Sequence, residues 1–143
     1  MIAPRLFTIQ RADRGQLSTM AAPRAGGCLQ EEVRAVRFMG VDTLVSMLTE
    51  QENGELDLVD EAEAATEAEL RYATLPTPDR ETPAEDPTRA LARMLADDLH
   101  AGHGVAIHCR AGIGRSSVLA AAVLQLEGVP ADEAWNLISH ARG

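Results

Sequence analysis

The nine residues from His108 to Ser116, HCRAGIGRS, constrain the fold of this chain more than any other stretch. An apolar run, Gly104 to Ile107, leads in, and a helix-like run, Ser117 to Leu126, leads out. Strand, glycine-containing turn and helix start in that order form a geometry that collects backbone N–H groups around an anion. The outgoing run is apolar nearly all round, through Val118, Leu119, Ala122, Val123 and Leu126, so the helix is expected to be buried, with Gly128 closing it. A buried helix behind an apolar strand needs a covered sheet, and this places the turn at the carboxyl end of a central strand.

The residue types within the turn define its chemistry. A free thiol is mostly protonated at neutral pH, so a nucleophilic Cys109 needs surroundings that favour thiolate. Loop amides, the positive end of the following helix and Arg115 would supply that potential. Arg115 is a planar fork able to hold two phosphoryl oxygens at once. Gly112 and Gly114 are expected at positive φ, letting successive N–H groups turn inward. Ser116 sets a hydroxyl beside the sulfur, and the His108 ring is expected to hydrogen-bond the loop backbone and hold the cysteine in place.

The pattern H-C-x-x-G-x-x-R-S resembles the signature of the cysteine-dependent protein tyrosine phosphatases, here in a dual-specificity-like form. The resemblance implies hydrolysis of phosphate esters through a phosphocysteine, with no metal or cofactor. Cys109 would attack and Ser116 would help the sulfur leave. Arg115 would bind phosphate together with the loop positions His108, Arg110, Ala111, Gly112, Ile113 and Gly114. It also implies a general acid, an aspartate on a loop some thirty residues upstream. Leu75-Pro76-Thr77-Pro78-Asp79-Arg80 fits, with Asp79 as the acid, because the prolines end a strand-like segment on an exposed loop. Glu81, Glu85 and Asp86 are rivals, though Asp86 before Pro87 reads better as a helix N-cap. By the same resemblance the loop Pro23–Gly27 lies near the pocket, where Arg24 is either a substrate contact or a surface arginine. Cys28 is either a resting partner for Cys109 in a reversible disulfide or an unpaired thiol. Family members usually continue with a further C-terminal segment, so the domain expected at 1–143 is either a trimmed or a minimal form.

The rest of the chain reads as one α/β domain. Short strands are expected at Leu6–Gln10 and Leu17–Met20 around a polar turn, then at Val41–Leu48, Leu70–Leu75 and Gly104–His108. Helices are expected from Leu29 to Gly40, through the acidic stretch with a break at Gly54, and from Pro87 to Leu99 with Leu91, Met94 and Leu95 inward. A last helix, Ala131–Ala141, points Ala134, Leu137, Ile138 and Ala141 to one side. Strands alternating with helices imply a central, mainly parallel sheet flanked by helices on both faces, with the phosphate-binding loop between a central strand and a buried helix.

The net charge of −9 argues against nucleic acid or anionic membranes as partners. Nine carboxylates and no basic residue fall in 50–69, read as a solvated pair of short helices or, less readily, a docking face for a basic partner. No stretch reaches membrane-spanning length, no secretory pattern opens the chain, and two cysteines suit a reducing compartment, so the expected place is the cytoplasm. Arginine supplies every basic residue, as in proteins from GC-rich bacterial genomes. The expected substrate is a phosphorylated protein carrying phosphotyrosine, with phosphoserine and phosphothreonine as further candidates. The alternatives are a phosphatase of inositol phosphates or other small phosphomonoesters, and a catalytically weak phospho-ligand binding module. One Tyr, one Trp and two Phe leave little material for a deep aromatic slot, which favours a shallow site.

Overall fold

The structure, a computed structural model, describes residues 4–143. Five strands form one sheet: β1 (Phe7–Thr8), β2 (Gln16–Met20), β3 (Thr43–Ser46), β4 (Arg71–Thr74) and β5 (Gly104–His108). Their spatial order is β1-β2-β5-β3-β4, with only the β1–β2 pair antiparallel. Strand β5 is central, pairing Ala106 with Ser18 on one side and with Leu44 on the other. The expected α/β domain with a mainly parallel sheet is what forms.

Six helices cover the sheet: α1 (Leu29–Phe38), α2 (Glu50–Glu55), α3 (Glu61–Glu67), α4 (Glu85–His100), α5 (Arg115–Leu126) and α6 (Ala131–Arg142). Alternation along β5 feeds two separate cores. Val105 and Ile107 join Leu95, Leu99, Leu119, Val123 and Ile138 on the α4–α5–α6 face. Ala106 joins Val33, Val36, Leu44, Leu58 and Ala65 on the other, where α1 and α3 pack. Burial on both faces explains why β5 reads as a continuous apolar run.

Four local expectations need correction. Helix α4 begins at Glu85 behind Ala84, so Asp86 is not its cap; Pro87 sits in the first turn, where a backbone N–H has no intrahelical acceptor to lose. Its buried stripe runs Thr88, Ala92, Leu95, Leu99, a 3.6-residue period that leaves Met94 exposed. Leu126 at the end of α5 is likewise exposed, one turn past the packed part of that helix. Gly54 lies inside α2; the break comes at 56–60, where Asp57 takes a left-handed φ of 57°.

Candidate active site

The loop after β5 and the first turn of α5 form the floor of the site. Gly112 has φ of 75°, and a Cβ there would stand 2.4 Å from the Met20 carbonyl carbon and oxygen at the end of β2. Only glycine meets both demands. Gly114 departs from the expected positive φ: it sits at −86° as the N-cap of α5, in open space, with its carbonyl accepting from Ser117 and Val118 N–H. The loop is tied down on several sides. Ala22 N–H donates to the Arg110 carbonyl at 3.1 Å, and Met47 N–H to the His108 carbonyl at 2.9 Å. Ser117 Oγ donates to the Ile113 carbonyl, and Arg142 of α6 to the Gly112 carbonyl.

Cys109 is buried at the centre of this cradle. Burial by itself pushes its thiol up. The Ser116 hydroxyl, with its oxygen 3.4 Å from Sγ, and the backbone N–H groups of Ser116, Gly112 and Ile113 outweigh that, and the thiol lies below its ordinary value. These donors converge on one atom because the helix start and the turn aim their free N–H groups the same way.

Arg115 opens α5 and is buried. Its fork meets the Glu52 carboxylate edge on, NH1 at 2.6 Å and NH2 at 2.9 Å, and NH1 also donates to the Thr77 carbonyl at 2.7 Å. Hydrogen bonding to Glu52 raises the guanidinium above its ordinary value against the cost of burial, with Cys109 and Asp79 adding to the rise. The same bonds, offset in part by burial, hold the Glu52 carboxyl down at about 2. Glu52 further completes a capping box with Thr49 at the start of α2. One carboxylate therefore fixes both a helix end and the arginine that opens α5.

Asp79 follows two residues after Thr77. Thr77 is buried, with its N–H bonded to the Met47 carbonyl at 3.1 Å and its hydroxyl to the Leu75 carbonyl at 3.0 Å. That anchor sets the exposed Asp79 carboxylate 3.7 Å from Arg115 NH2. The aspartate picked out on spacing thus lines the cleft beside Arg115.

The other expected positions divide. His108 is fully buried behind the loop, so it cannot touch substrate, although its ring does bond the Cys109 carbonyl as expected. Arg110 is half exposed on the rim, held by Glu52 at 3.4 Å and Glu55 at 3.3 Å. Ala111 and Ile113 are exposed. Arg24 pairs with Glu32 of α1 at 3.3 Å. Cys28 is exposed and Cys109 buried, both as free thiols.

The sequence reading missed Glu52 and Glu61. Both lie in the acidic stretch read as solvated, yet both are buried and bonded to residues of the loop, Arg115 and His108 respectively. The motif Thr49-x-x-Glu52 was a visible signal for a helix start, but nothing local marked the arginine as its second partner.

A cleft of about 400 Å³ lies beside the loop, lined by Thr49, Gln51, Glu52, Glu55, Pro78, Asp79 and Arg110. None of these is aromatic. Tyr72 is bonded to Glu61, Trp135 is on α6, Phe38 is exposed at the end of α1, and the Phe7 ring meets the guanidinium groups of Arg5 and Arg142, each 4.8 Å from its centre.

Residues 18–129 match the sequence profile of the family described as polymorphic toxin system, DSP-PTPase phosphatase. No curated protein matches the chain. Among solved structures, kinase associated phosphatase (KAP) with its catalytic site cysteine replaced by serine superposes with a TM-score of 0.90 at 16% identity, covering 100% of this chain and 86% of that one. A protein tyrosine phosphatase from Leishmania major gives 0.76 at 20%, covering 96% and 89%. PTPMT1 in complex with PI(5)P gives 0.72 at 22%, covering 92% and 81%. The shared architecture is the protein tyrosine phosphatase fold.

Proposed function

The chain belongs to the polymorphic toxin system DSP-PTPase phosphatase family, and from that premise we propose that it hydrolyses phosphotyrosine esters in proteins, and phosphoserine or phosphothreonine esters with them, through a phosphocysteine. The observation that carries this reading is the convergence on Cys109 of the Ser116 hydroxyl and three backbone N–H groups, with Arg115 fixed beside it.

In the first step the Cys109 thiolate forms a bond to phosphorus while the bond to the leaving oxygen breaks. Asp79 gives that oxygen its proton. Arg115 and the loop amides hold the non-bridging oxygens, and positioning with charge stabilisation supplies most of the rate. In the second step Asp79 takes a proton from water as water attacks phosphorus. The S–P bond breaks and the Ser116 hydroxyl donates to the departing sulfur.

An aromatic-free cleft supports a shallow and permissive site over a slot selective for a phenyl ring. The second reading, hydrolysis of inositol phosphates or other small phosphomonoesters, draws on Arg110 at the rim and on the likeness to PTPMT1. Against a polyanionic head group, Glu52 and Glu55 already neutralise Arg110.

The test is p-nitrophenyl phosphate turnover in the presence of chelator. Cys109→Ser is expected to abolish it, and Asp79→Asn to lower kcat by about 10²–10³-fold and remove the basic limb of the pH profile. Turnover by Cys109→Ser would overturn the scheme. Phosphotyrosine peptides and soluble inositol phosphates, compared by kcat/KM, separate the two substrate readings. Phosphopeptide binding by the wild type without turnover would favour the binding module.

A further inference from the structure

The last turn of α6 reaches the catalytic loop through one side chain. Ala134 and Ile138 are the buried residues of that helix. Arg142 lies four positions beyond Ile138, so it continues the same stripe past the core. There its guanidinium donates to the Gly112 carbonyl and stands 4.8 Å from the centre of the Phe7 ring in β1. Among the described residues no carboxylate pairs with Arg142; a carbonyl and a ring face hold it.

The acceptor is one half of a peptide unit whose other half faces the sulfur. The Gly112 carbonyl and the Ile113 N–H belong to the same trans peptide, so they point in opposite directions. That N–H is among the donors that hold the Cys109 thiol below its ordinary value. Other loop carbonyls are tied by uncharged donors: that of Arg110 by Ala22 N–H at 3.1 Å, that of Ile113 by the Ser117 hydroxyl, and that of Gly114 by Ser117 and Val118 N–H. Gly112 alone among these takes a charged donor. It is also where the chain most needs holding, because a glycine at φ of 75° has wide freedom in ψ. Rotating the peptide that follows would turn a carbonyl oxygen toward the thiolate and toward any phosphoryl oxygen. The bond from Arg142 forms only when the N–H faces inward, so it favours that orientation. A charged donor on the carbonyl also polarises the peptide and strengthens the N–H on its far side.

We propose that Arg142 is a positioning residue of the phosphate-binding loop: it locks the Gly112–Ile113 peptide with its N–H turned to Cys109 and to a bound oxyanion, and it strengthens that N–H as a donor. The Phe7 ring keeps the guanidinium at its post. The inference rests on the reading of the loop around Cys109 as the phosphate cradle of the proposed reaction.

The test is calorimetric titration with tungstate, a tetrahedral oxyanion that is bound without being hydrolysed, at about 0.15 M ionic strength, where exposed charges beyond about 8 Å are screened. Arg142→Met keeps an unbranched apolar stem and removes the donor, and it is expected to weaken tungstate binding about tenfold. Arg142→Lys returns a charged donor and should recover much of that loss. Arg5→Met is the control for charge alone. Arg5 stands over the same ring, 4.8 Å from its centre, with no bond to the loop among the described residues, so its loss should leave the affinity within about twofold of wild type. Tungstate binding as tight in Arg142→Met as in the wild type would overturn the proposal. So would equal losses in Arg5→Met and Arg142→Met, or an Arg142→Lys that binds no tighter than Arg142→Met. Slow solvent exchange of the Arg142 guanidinium protons in wild-type spectra checks the bond directly, and fast exchange would overturn the proposal even if no Arg142 variant folds. Arg142-dependent tungstate binding without p-nitrophenyl phosphate turnover would sink the phosphatase reading and leave this one standing.

Discussion

Two glycines in one loop illustrate how differently equal residues are constrained. Gly112 combines a left-handed φ with a carbonyl of β2 where its Cβ would go, while Gly114 has ordinary φ and open space. Gly112→Ala is expected to cost about 1–3 kcal/mol and to disturb the anion cradle. Gly114→Ala should fall within about 1 kcal/mol of wild type. Urea denaturation of the two variants checks the contrast, and equal losses would contradict it. Glu52 carries the pH dependence at this scale. Its folded value is depressed to about 2 from an ordinary 4.5, so the stabilisation it brings is present above pH 4.5 and is lost as pH falls toward 2. Glu52→Gln strands a buried guanidinium and is expected to destabilise by roughly 3–5 kcal/mol at pH 7. Denaturation midpoints taken from pH 6 to pH 2 should show that gap narrowing through this window.

At the scale of elements, the short helix α2 serves chiefly to deliver one carboxylate. Thr49 accepts from the Glu52 N–H at 3.2 Å, and Glu52 answers to the Thr49 N–H at 3.1 Å, so the capping box fixes the side chain that meets Arg115. Thr49→Ala is expected to cost about 1 kcal/mol of stability. Because the cap orients Glu52, kcat should drop several-fold while KM for p-nitrophenyl phosphate changes little. An unaltered kcat in a destabilised variant would show that Arg115 holds Glu52 without help from the helix. This link also marks where sequence reading stopped. Strand β5, the loop and α5 were legible because their signals are local: an apolar run, glycines, and an apolar helix within some twenty residues. Glu52 and Glu61 were not, because their partners lie 63 and 47 positions away. In a run of nine carboxylates nothing local separates the two that turn inward from those that stay in water. The break between α2 and α3 was misplaced for a related reason, since glycine tolerates a helix interior at a cost of only about 1 kcal/mol.

Considered whole, the molecule carries a charge of −9 and works on anions. Acidic phosphopeptides are expected to meet it more slowly at low salt, so their kcat/KM should rise several-fold between about 0.01 and 0.15 M ionic strength, as the screening length falls from about 30 to 8 Å. Basic phosphopeptides should show the opposite trend, and a flat response for both would mean that the cleft's local field dominates. On the proposed reading, anion binding by so acidic a molecule rests on local donors. The donors gathered on Cys109 are backbone N–H groups at the carboxyl end of β5, and the Arg115 guanidinium is paired with the buried Glu52 and lies 3.7 Å from the exposed Asp79. The aromatic-free cleft has a further consequence. On the proposed reading, a site that holds only the phosphate would read one group and ignore the molecule that carries it. Discrimination among carriers would then come from encounter, from what is brought near and for how long, and the proposed chemistry would behave as an eraser guided by proximity.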